Sequence, residues 1–253
     1  NLVDFWGHFV TDPVPAASVN PIARRGGQGL GVVLAGRESR RSLPLPLLAS
    51  VLQTVFSALD GPKVYLLGSR AEQPAARKLL RLLPGKLLGR VEDLSGKTDW
   101  SGLVQAVEGL DGLITPDTGI MHLAAHLGVP VLGFFLSSAW CHETGPYGEG
   151  HFVWQTARTC SPCLENAPCP YDTICLEAFM PDVLLRSLAR VVQGGEGAPA
   201  ALPPTLQLWR SGLDSFGGRF SLLSGQDAEA SQRAAIRIIL QDFLDSRRDS
   251  RSP

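Results

Sequence analysis

Short apolar runs separated by helix-patterned segments fill the middle of this chain. Runs such as GVVL, VYLL and GLIT have the length and the β-branched content of buried strands. Strands are predicted at 31–34, 64–67, 91–94, 112–115, 129–135 and 151–155. Between them, apolar residues recur at helical spacing. Helices are predicted at 47–59, 75–83, 100–107, 119–127 and 183–192, with Thr98 or Asp99 capping the third. This alternation predicts an α/β fold: a Rossmann-like three-layer sandwich around a parallel sheet.

The pattern changes toward the end of the chain. Residues 194–204, GGEGAPAALPP, are predicted to be a linker, and a helical tail is predicted after them. An apolar stripe at helical spacing supports that tail; its members are Ile236, Ile239, Leu240, Phe243 and Leu244. The chain therefore divides into 1–28 as a connection, 29–193 as the α/β domain and 194–253 as linker and helical extension.

Composition narrows the classes of function. The 253 residues carry a formal net charge of −1, so no broad basic face for nucleic acid is expected. No apolar run reaches the length of a membrane span, and the first residues lack the features of a signal peptide. A cytoplasmic setting, with at most peripheral contact with a membrane, is the expectation. Because the chain does not start with Met, it is interpreted as a fragment or a processed product.

The turn Pro116-Asp117-Thr118-Gly119 between the fourth strand and its helix is the first candidate for chemistry. Backbone N–H groups at a helix N-terminus lack intrahelical partners and, with the helix dipole, favour a phosphate. Asp117 is predicted to cap the helix, Thr118 to add a hydroxyl donor, and Gly119 to let the backbone approach a ligand closely. A well-capped helix without a ligand is the alternative, and residue types alone leave both open.

Charged residues follow two other strands at the same sheet edge. Arg37, Arg40 and Arg41 lie in the loop after the first strand, where an arginine could pair with a diphosphate. A solvated basic loop is the commoner outcome. Glu72 follows the second strand, where a carboxylate can bind ribose hydroxyls. Its spacing alone favours a first-turn residue that complements the helix dipole.

Histidine and cysteine raise the question of metal. His122 and His126 are four residues apart on one helix, but no third ligand lies at metal spacing, so a packed or phosphate-facing His122 and a surface His126 are expected. Four cysteines share one loop, with Cys141 apart: Cys160, Cys163, Cys169 and Cys175. They could stabilise the loop by holding a structural zinc ion or by forming disulfides, and the sequence does not decide between the two.

Several of these segments together resemble glycosyltransferase family nine, the ADP-heptose:lipopolysaccharide heptosyltransferases. The resemblance rests on DLSGKTDW, LITPDTGIMHLAAHLGVPVLGFF, ETGPYG and CSPC with two later cysteines, and it covers about 29–192. It implies the carboxyl-terminal, donor-binding half of a GT-B enzyme, with no catalytic residue here because the family's base lies in the other half. The chain alone would then bind a nucleotide-sugar without turning it over.

The resemblance also implies roles for individual residues. Arg41 would pair with the donor phosphates, and Glu72 would hold the ribose. Asp117, Thr118 and Gly119 would meet the diphosphate and the neighbouring sugar, with His122 beside them. The implied reaction is inverting transfer of heptose from ADP-heptose to a lipopolysaccharide acceptor, with no required cofactor because fixed positive groups stabilise the leaving diphosphate.

Three positions depart from the family pattern. Arg41 replaces a lysine, Leu43 replaces a tryptophan, and residues 135–138, FLSS, replace a Gly-Pro-Thr type turn. The changed turn supports an alternative hypothesis: a degenerate, non-catalytic relative that acts as an interaction or scaffold module, with its apolar tail helix docking a partner. A dinucleotide-dependent epimerase or dehydrogenase is disfavoured because no GxGxxG follows the first strand.

Overall fold

A computed structural model describes residues 22–34, 39–164, 167–194, 201–214 and 217–249, with the backbone alone for residue 39 and for 244–249. Within these residues, eight strands form one sheet. They are β1 (Leu30–Val33), β2 (Val64–Leu67), β3 (Val91–Asp93), β4 (Gly112–Thr115), β5 (Val131–Phe135), β6 (Phe152–Thr156), β7 (Leu206–Asp214) and β8 (Gly217–Ser224).

The order of the strands creates a crevice at one sheet edge. The sheet runs β3-β2-β1-β4-β5-β6-β7-β8, and its first six strands are parallel. β1 pairs with β2 on one side and with β4 on the other, so the chain reverses its direction of winding between β1 and β4. Ligands of open α/β sheets bind at the carboxyl ends of the strands beside such a reversal. The loops after β1 and β4 are therefore the first place to look for a site.

Of the eight α-helices in the described residues, five lie close to the positions predicted in the parallel part, one lies in the tail, and the short ones at 85–88 and 141–144 were not predicted. They are α1 (Leu45–Ala58), α2 (Gln73–Leu80), α3 (Gly85–Leu88), α4 (Trp100–Val107), α5 (Gly119–His126), α6 (Cys141–Thr144), α7 (Pro181–Val192) and α8 (Ala230–Asp249). Asp99 caps α4, as one of the two predicted candidates. α2 ends at Leu80, three residues before its predicted end at 83, and Pro84-Gly85 starts the short helix α3. In the described part of the chain, no helix is long and apolar enough to cross a membrane.

The two faces of the sheet bury separate cores, which confirms the predicted three layers. Because successive strand residues point to opposite faces, Val32 and Val33 of β1 belong to different cores. One core lies under α1, α2 and α7 and includes Phe134 and Trp154. The other lies under α4 and α5 and includes Phe135. Phe134 stacks on Trp154 with ring centroids 5.4 Å apart.

The prediction of a purely helical tail was wrong for 206–224. β7 pairs antiparallel with β6, and β8 pairs antiparallel with β7, so the sheet continues past the predicted domain end at 193. Leu206, Leu208 and Trp209 are buried by this pairing. The pattern of β7 is weak because it is completed by contacts with β6, about fifty residues earlier, rather than by its own periodicity. The helix predicted in the tail is present as α8.

A hydrogen bond in the core gives a test of the fold. Trp154 Nε1 donates to Ser187 Oγ at 3.0 Å, and both residues are fully buried. Ser187→Ala leaves the indole N–H unsatisfied and should lower the free energy of unfolding by about 1–3 kcal/mol, measured by urea denaturation. Ser50→Ala, on the surface of α1, is the matched control and should change it by less than about 0.5 kcal/mol. Equal effects of the two substitutions would contradict this assignment of the Trp154 bond.

Candidate functional site

The turn after β4 caps α5 with a different residue from the one predicted. Thr118 is the N-cap: it is extended, and its hydroxyl accepts from the amide of Met121 at 3.4 Å. Its hydroxyl also lies 3.2 Å from that of Thr115, the last residue of β4. The prediction that Asp117 caps the helix was therefore wrong. Both residues are common caps, and Asp117 is instead engaged by a distant cation.

Asp117 is the centre of the site. Its carboxylate Oδ2 accepts from Arg41 Nη2 at 2.6 Å and from Thr144 Oγ1 at 3.0 Å. The side chains of Arg41 and Asp117 are only 12% and 9% exposed. Removing both charges from water is costly, so the pair must be well matched to persist. This ion pair ties the loop after β1 to the turn after β4, across the strand reversal.

Of the three arginines predicted after β1, Arg41 reaches the turn. It lies in a 3₁₀ turn at Ser39–Arg41, and its Nη2 also lies 3.4 Å from the Asp117 carbonyl oxygen. Arg40 instead donates to the carbonyl of Ala167 at 2.7 Å and so binds the cysteine loop. Arg37 lies outside the described residues. The sequence could not separate these three, because the choice depends on how the loop folds.

His122 stands beside the carboxylate, one turn along α5. Its Nε2 is 3.9 Å from Asp117 Oδ1, and its side chain is 46% exposed. Burial lowers the pKa of His122, and the negative charge of Asp117 partly offsets this by raising it. The ring is therefore mainly neutral at pH 7, and nearly half of it is open to solvent. His126 is exposed at the end of the same helix, as predicted.

The N-terminus of α5 is open. Amides in the first turn of a helix point off its end, and the Thr118 hydroxyl satisfies only that of Met121. A Cβ built on Gly119 would meet nothing within 4 Å, so the space in front of this residue is unfilled by protein. An apolar pocket adjoins the turn, lined by Leu34, Leu43 and Pro116 among others. The arrangement offers an anion backbone donors, a helix dipole and a guanidinium.

Glu72 follows β2, as predicted, and its carboxylate caps the start of the helical turn that begins after Ser69. Ser69 and Glu72 form a capping box, in which Glu72 Oε2 accepts from the Ser69 amide at 2.6 Å. The Ser69-x-x-Glu72 spacing is a recognised signature of this arrangement. The carboxylate is thereby fixed at the carboxyl end of β2, two strands from Asp117, or about 10 Å away at ordinary strand spacing.

The structure shows neither a disulfide nor a cluster of metal ligands in the described part of the cysteine loop. All five cysteines are free thiols. Across the described ranges, no group of three or more Cys, His, Asp or Glu side chains is placed to hold a metal ion. Burial raises the pKa values of the Cys163 and Cys175 thiols, and neighbouring cysteines raise them further. The loop is held instead by hydrogen bonds, including Cys163 N–H to the Ser137 carbonyl at 3.0 Å.

Sequence reasoning missed Thr144. This residue ends α6, in the loop after β5, and its hydroxyl donates to Asp117 Oδ2 at 3.0 Å. The signal was present, because Thr144 belongs to the ETGPYG segment, but nothing in the local pattern assigns it a partner 27 residues earlier.

Comparison with known proteins gives a family match for the central part of the chain. The model for glycosyltransferase family 9 (heptosyltransferase) matches residues 53–174, which include the turn after β4 and α5. The match covers just under half of the 253 residues, and this segment is similar to glycosyltransferase family 9. Arg41 and β1 precede the matched segment, and β7 and β8 follow it.

A curated relative and two solved structures are similar to parts of the chain. Lipooligosaccharide heptosyltransferase 2 of Haemophilus influenzae is 29% identical over 76 residues, which are 30% of this chain and 22% of the relative. The structure of E. coli ADP-heptose lps heptosyltransferase II has a TM-score of 0.52 and 20% identity, over 68% of this chain and 48% of that one.

E. coli heptosyltransferase WaaC with ADP has a TM-score of 0.45 and 20% identity, over 54% of this chain and 40% of that one. The chain therefore spans about half or less of the length of these relatives. Its mostly parallel open sheet with flanking helices matches the GT-B-like fold of the heptosyltransferases, which confirms the predicted fold class.

The contact between His122 and Asp117 can be tested by titration. Asp117 favours the charged form of the ring, so Asp117→Asn should lower the pKa of His122 below its wild-type value. The pKa is read from the imidazole signals in NMR spectra across pH 5–8. Asp182→Asn, on the exposed first turn of α7, removes the same charge and should leave the pKa of His122 unchanged. An equal shift in both variants would mean that general charge, rather than this contact, sets the pKa.

Proposed function

We propose that this chain is the donor-binding part of a heptosyltransferase and that it binds a nucleoside diphosphate sugar between the loops after β1 and β4. The observation that carries the proposal is the Arg41–Asp117 pair beside the open N-terminus of α5, at the strand reversal. Such a position combines a guanidinium with unpaired backbone donors, which suits a diphosphate better than a neutral ligand.

The names of the curated relative and of the matching family support heptose as the transferred sugar. The curated relative is a lipooligosaccharide heptosyltransferase, and the matching family is named for heptosyl transfer. We therefore propose heptose as the transferred sugar and the inner core of a lipopolysaccharide as the acceptor. ADP as the nucleotide follows from the sequence resemblance, since nothing in the described site distinguishes one base from another.

In the proposed complex, the loops share the donor between them. Arg41 pairs with the phosphates, and the amides at Gly119 and the Thr118 hydroxyl face the diphosphate. Glu72 keeps Oε2 in its capping box and offers its other oxygen to the ribose hydroxyls. The half-exposed ring of His122 lies on the sugar side of Asp117. A diphosphate and ribose can span the distance of about 10 Å between the ends of β4 and β2.

The proposed reaction is an inverting displacement at the anomeric carbon. A base deprotonates the acceptor hydroxyl, the new glycosidic bond forms, and the bond to the diphosphate breaks. Arg41 and the α5 N-terminus stabilise the negative charge that develops on the departing diphosphate, without the need for a catalytic metal. The base is expected from the other half of a GT-B enzyme, so this chain alone should bind the donor and not turn it over.

Removing the guanidinium tests the proposal directly. Arg41→Ala should weaken the binding of ADP in calorimetric titration by at least about tenfold, the size expected for a charge-assisted hydrogen bond to phosphate. Arg77→Ala, on the exposed side of α2, makes the same change in net charge away from the site and should bind ADP like the wild type. UDP and GDP are titrated in parallel.

The outcomes separate the parts of the proposal. Preference for UDP or GDP over ADP would retain a nucleotide site and overturn the ADP-sugar. Equal loss in Arg41→Ala and Arg77→Ala would overturn the role of Arg41. No binding of any nucleotide by the wild-type chain would contradict the donor site as it stands here.

Gly119 offers a test that leaves the fold intact. Its Cβ position is empty, so Gly119→Ala should not destabilise the protein, yet the methyl group would stand where the ligand approaches α5. We expect ADP affinity to fall severalfold with an unchanged melting temperature. Gly85 is a matched control, because it is also the first residue of a helix with nothing within 4 Å of its Cβ position. Retained affinity in Gly119→Ala would show that the donor does not lie against this turn.

A further inference from the structure

The short helix α6 stands between the candidate site and the β7–β8 hairpin. It lies in the loop after β5, and its first amide, that of Cys141, donates to Gln155 Oε1 of β6 at 2.8 Å in a buried position. This bond fixes the start of α6 against the centre of the sheet. The backbone of α6 is therefore attached to β6 at its first residue.

His142 provides a second attachment. Its ring meets three aromatic rings edge to face: Trp140 at 5.5 Å, Trp209 of β7 at 4.7 Å and Phe220 of β8 at 5.9 Å. Burial, together with the nearby charge of Arg233, lowers the pKa of His142 to about 4, so the ring is neutral at pH 7. A neutral imidazole in an aromatic pocket acts as a wedge between α6 and the hairpin.

Gly145 shows how closely the hairpin approaches. A Cβ at this position would lie 2.5 Å from Cζ of Phe220 and 2.4 Å from the Cys141 carbonyl oxygen. A side chain cannot fit there without moving β8 or α6. The end of α6 is therefore pressed against the hairpin through Gly145, the residue immediately after Thr144.

Thr144 connects this assembly to the site. Its hydroxyl donates to Asp117 Oδ2 at 3.0 Å, the same oxygen that accepts from Arg41 at 2.6 Å. With Oδ2 held by two donors, Oδ1 is the oxygen directed to His122, at 3.9 Å. The hydroxyl thus selects one rotation of the carboxylate, where Arg41 alone could take both oxygens in a bidentate pair.

We propose that Thr144 is a positioning residue for the donor site: buttressed through α6 by the β7–β8 hairpin, it fixes the orientation of Asp117 between Arg41 and His122. This inference rests on the proposed function for its consequence in nucleotide binding, but the orientation of Asp117 belongs to the ligand-free protein. The β7–β8 hairpin lies outside the segment that matches the family. In this proposal it acts on the donor site only through α6.

The first test needs no ligand. In Thr144→Val the carboxylate is released to turn toward Arg41, so the pKa of His122 in NMR titration should fall toward its value in Asp117→Asn. Thr144→Ser restores the hydroxyl and should restore the wild-type pKa. Phe220→Leu, which loosens the wedge, should give a smaller shift in the same direction. A wild-type pKa of His122 in Thr144→Val would overturn the proposal.

The second test measures binding. Thr144→Val should weaken ADP binding about tenfold, as expected for loss of one hydrogen bond to a charged group, and Thr144→Ser should recover most of the affinity. If Thr144 acts through Asp117, the double variant Thr144→Val/Asp117→Asn should bind no more weakly than Asp117→Asn alone. Additive losses would show that Thr144 acts independently of Asp117 and would refute the positioning role.

Controls separate this inference from the stability of the fold and from the proposed function. Thr54→Val removes a hydroxyl that bonds to the Ser50 carbonyl at 2.9 Å on α1 and should alter neither readout. If the wild-type chain binds ADP and Thr144→Val binds equally well, the positioning role fails while the donor site stands. If the wild-type chain binds no nucleotide, the donor site fails, and the pKa of His122 still decides the orientation of Asp117.

Discussion

The parallel pairing of β1 with both β2 and β4 is the constraint on which the rest of this structure depends. It sends the loop after β1 and the turn after β4 to the same edge of the sheet, with no helix between them. Two segments 76 residues apart in sequence can then meet as Arg41 and Asp117. Without the reversal of winding at this point, the two residues would not meet, and the largely buried carboxylate of Asp117 would lose the cation that offsets its charge.

Electrostatics explains why a carboxylate can belong to the proposed site for a diphosphate. Arg41 offsets the charge of Asp117, and His122 is mainly neutral at pH 7 because burial lowers its pKa. The side chains at the centre therefore sum to nearly zero, and the positive end of α5 is left as the net bias. A diphosphate would be held more by directed donors than by net charge, which makes the geometry of Asp117 and Arg41 more important than the number of cations.

The local sequence patterns predicted the helices and strands well, but they did not predict which distant residues contact one another. β2, β4 and α4 have the predicted bounds because each depends on apolar spacing and caps within its own sequence. The choice of Thr118 over Asp117 as the cap was beyond local rules, since Arg41 decides it from elsewhere in the chain. The β7–β8 hairpin was missed for the same reason: β7 becomes a strand by pairing with β6. The resemblance to the family assigned donor-binding roles to Arg41, Glu72 and the 117–119 turn. Spacing alone left a purely structural role open for each of them.

The hairpin and the site illustrate how a fold can be extended without disturbing its ligand crevice. Adding antiparallel strands beyond β6 leaves the reversal between β1 and β4 untouched, because the new strands join the far edge of the sheet. Their influence can reach Asp117 only through a rigid intermediate, and α6 is suited to this: Gln155 fixes its start, and His142 and Gly145 press it against aromatic rings. A loop without these attachments could not hold one hydroxyl against one carboxylate oxygen, since the entropy of a mobile loop would exceed what a single hydrogen bond returns.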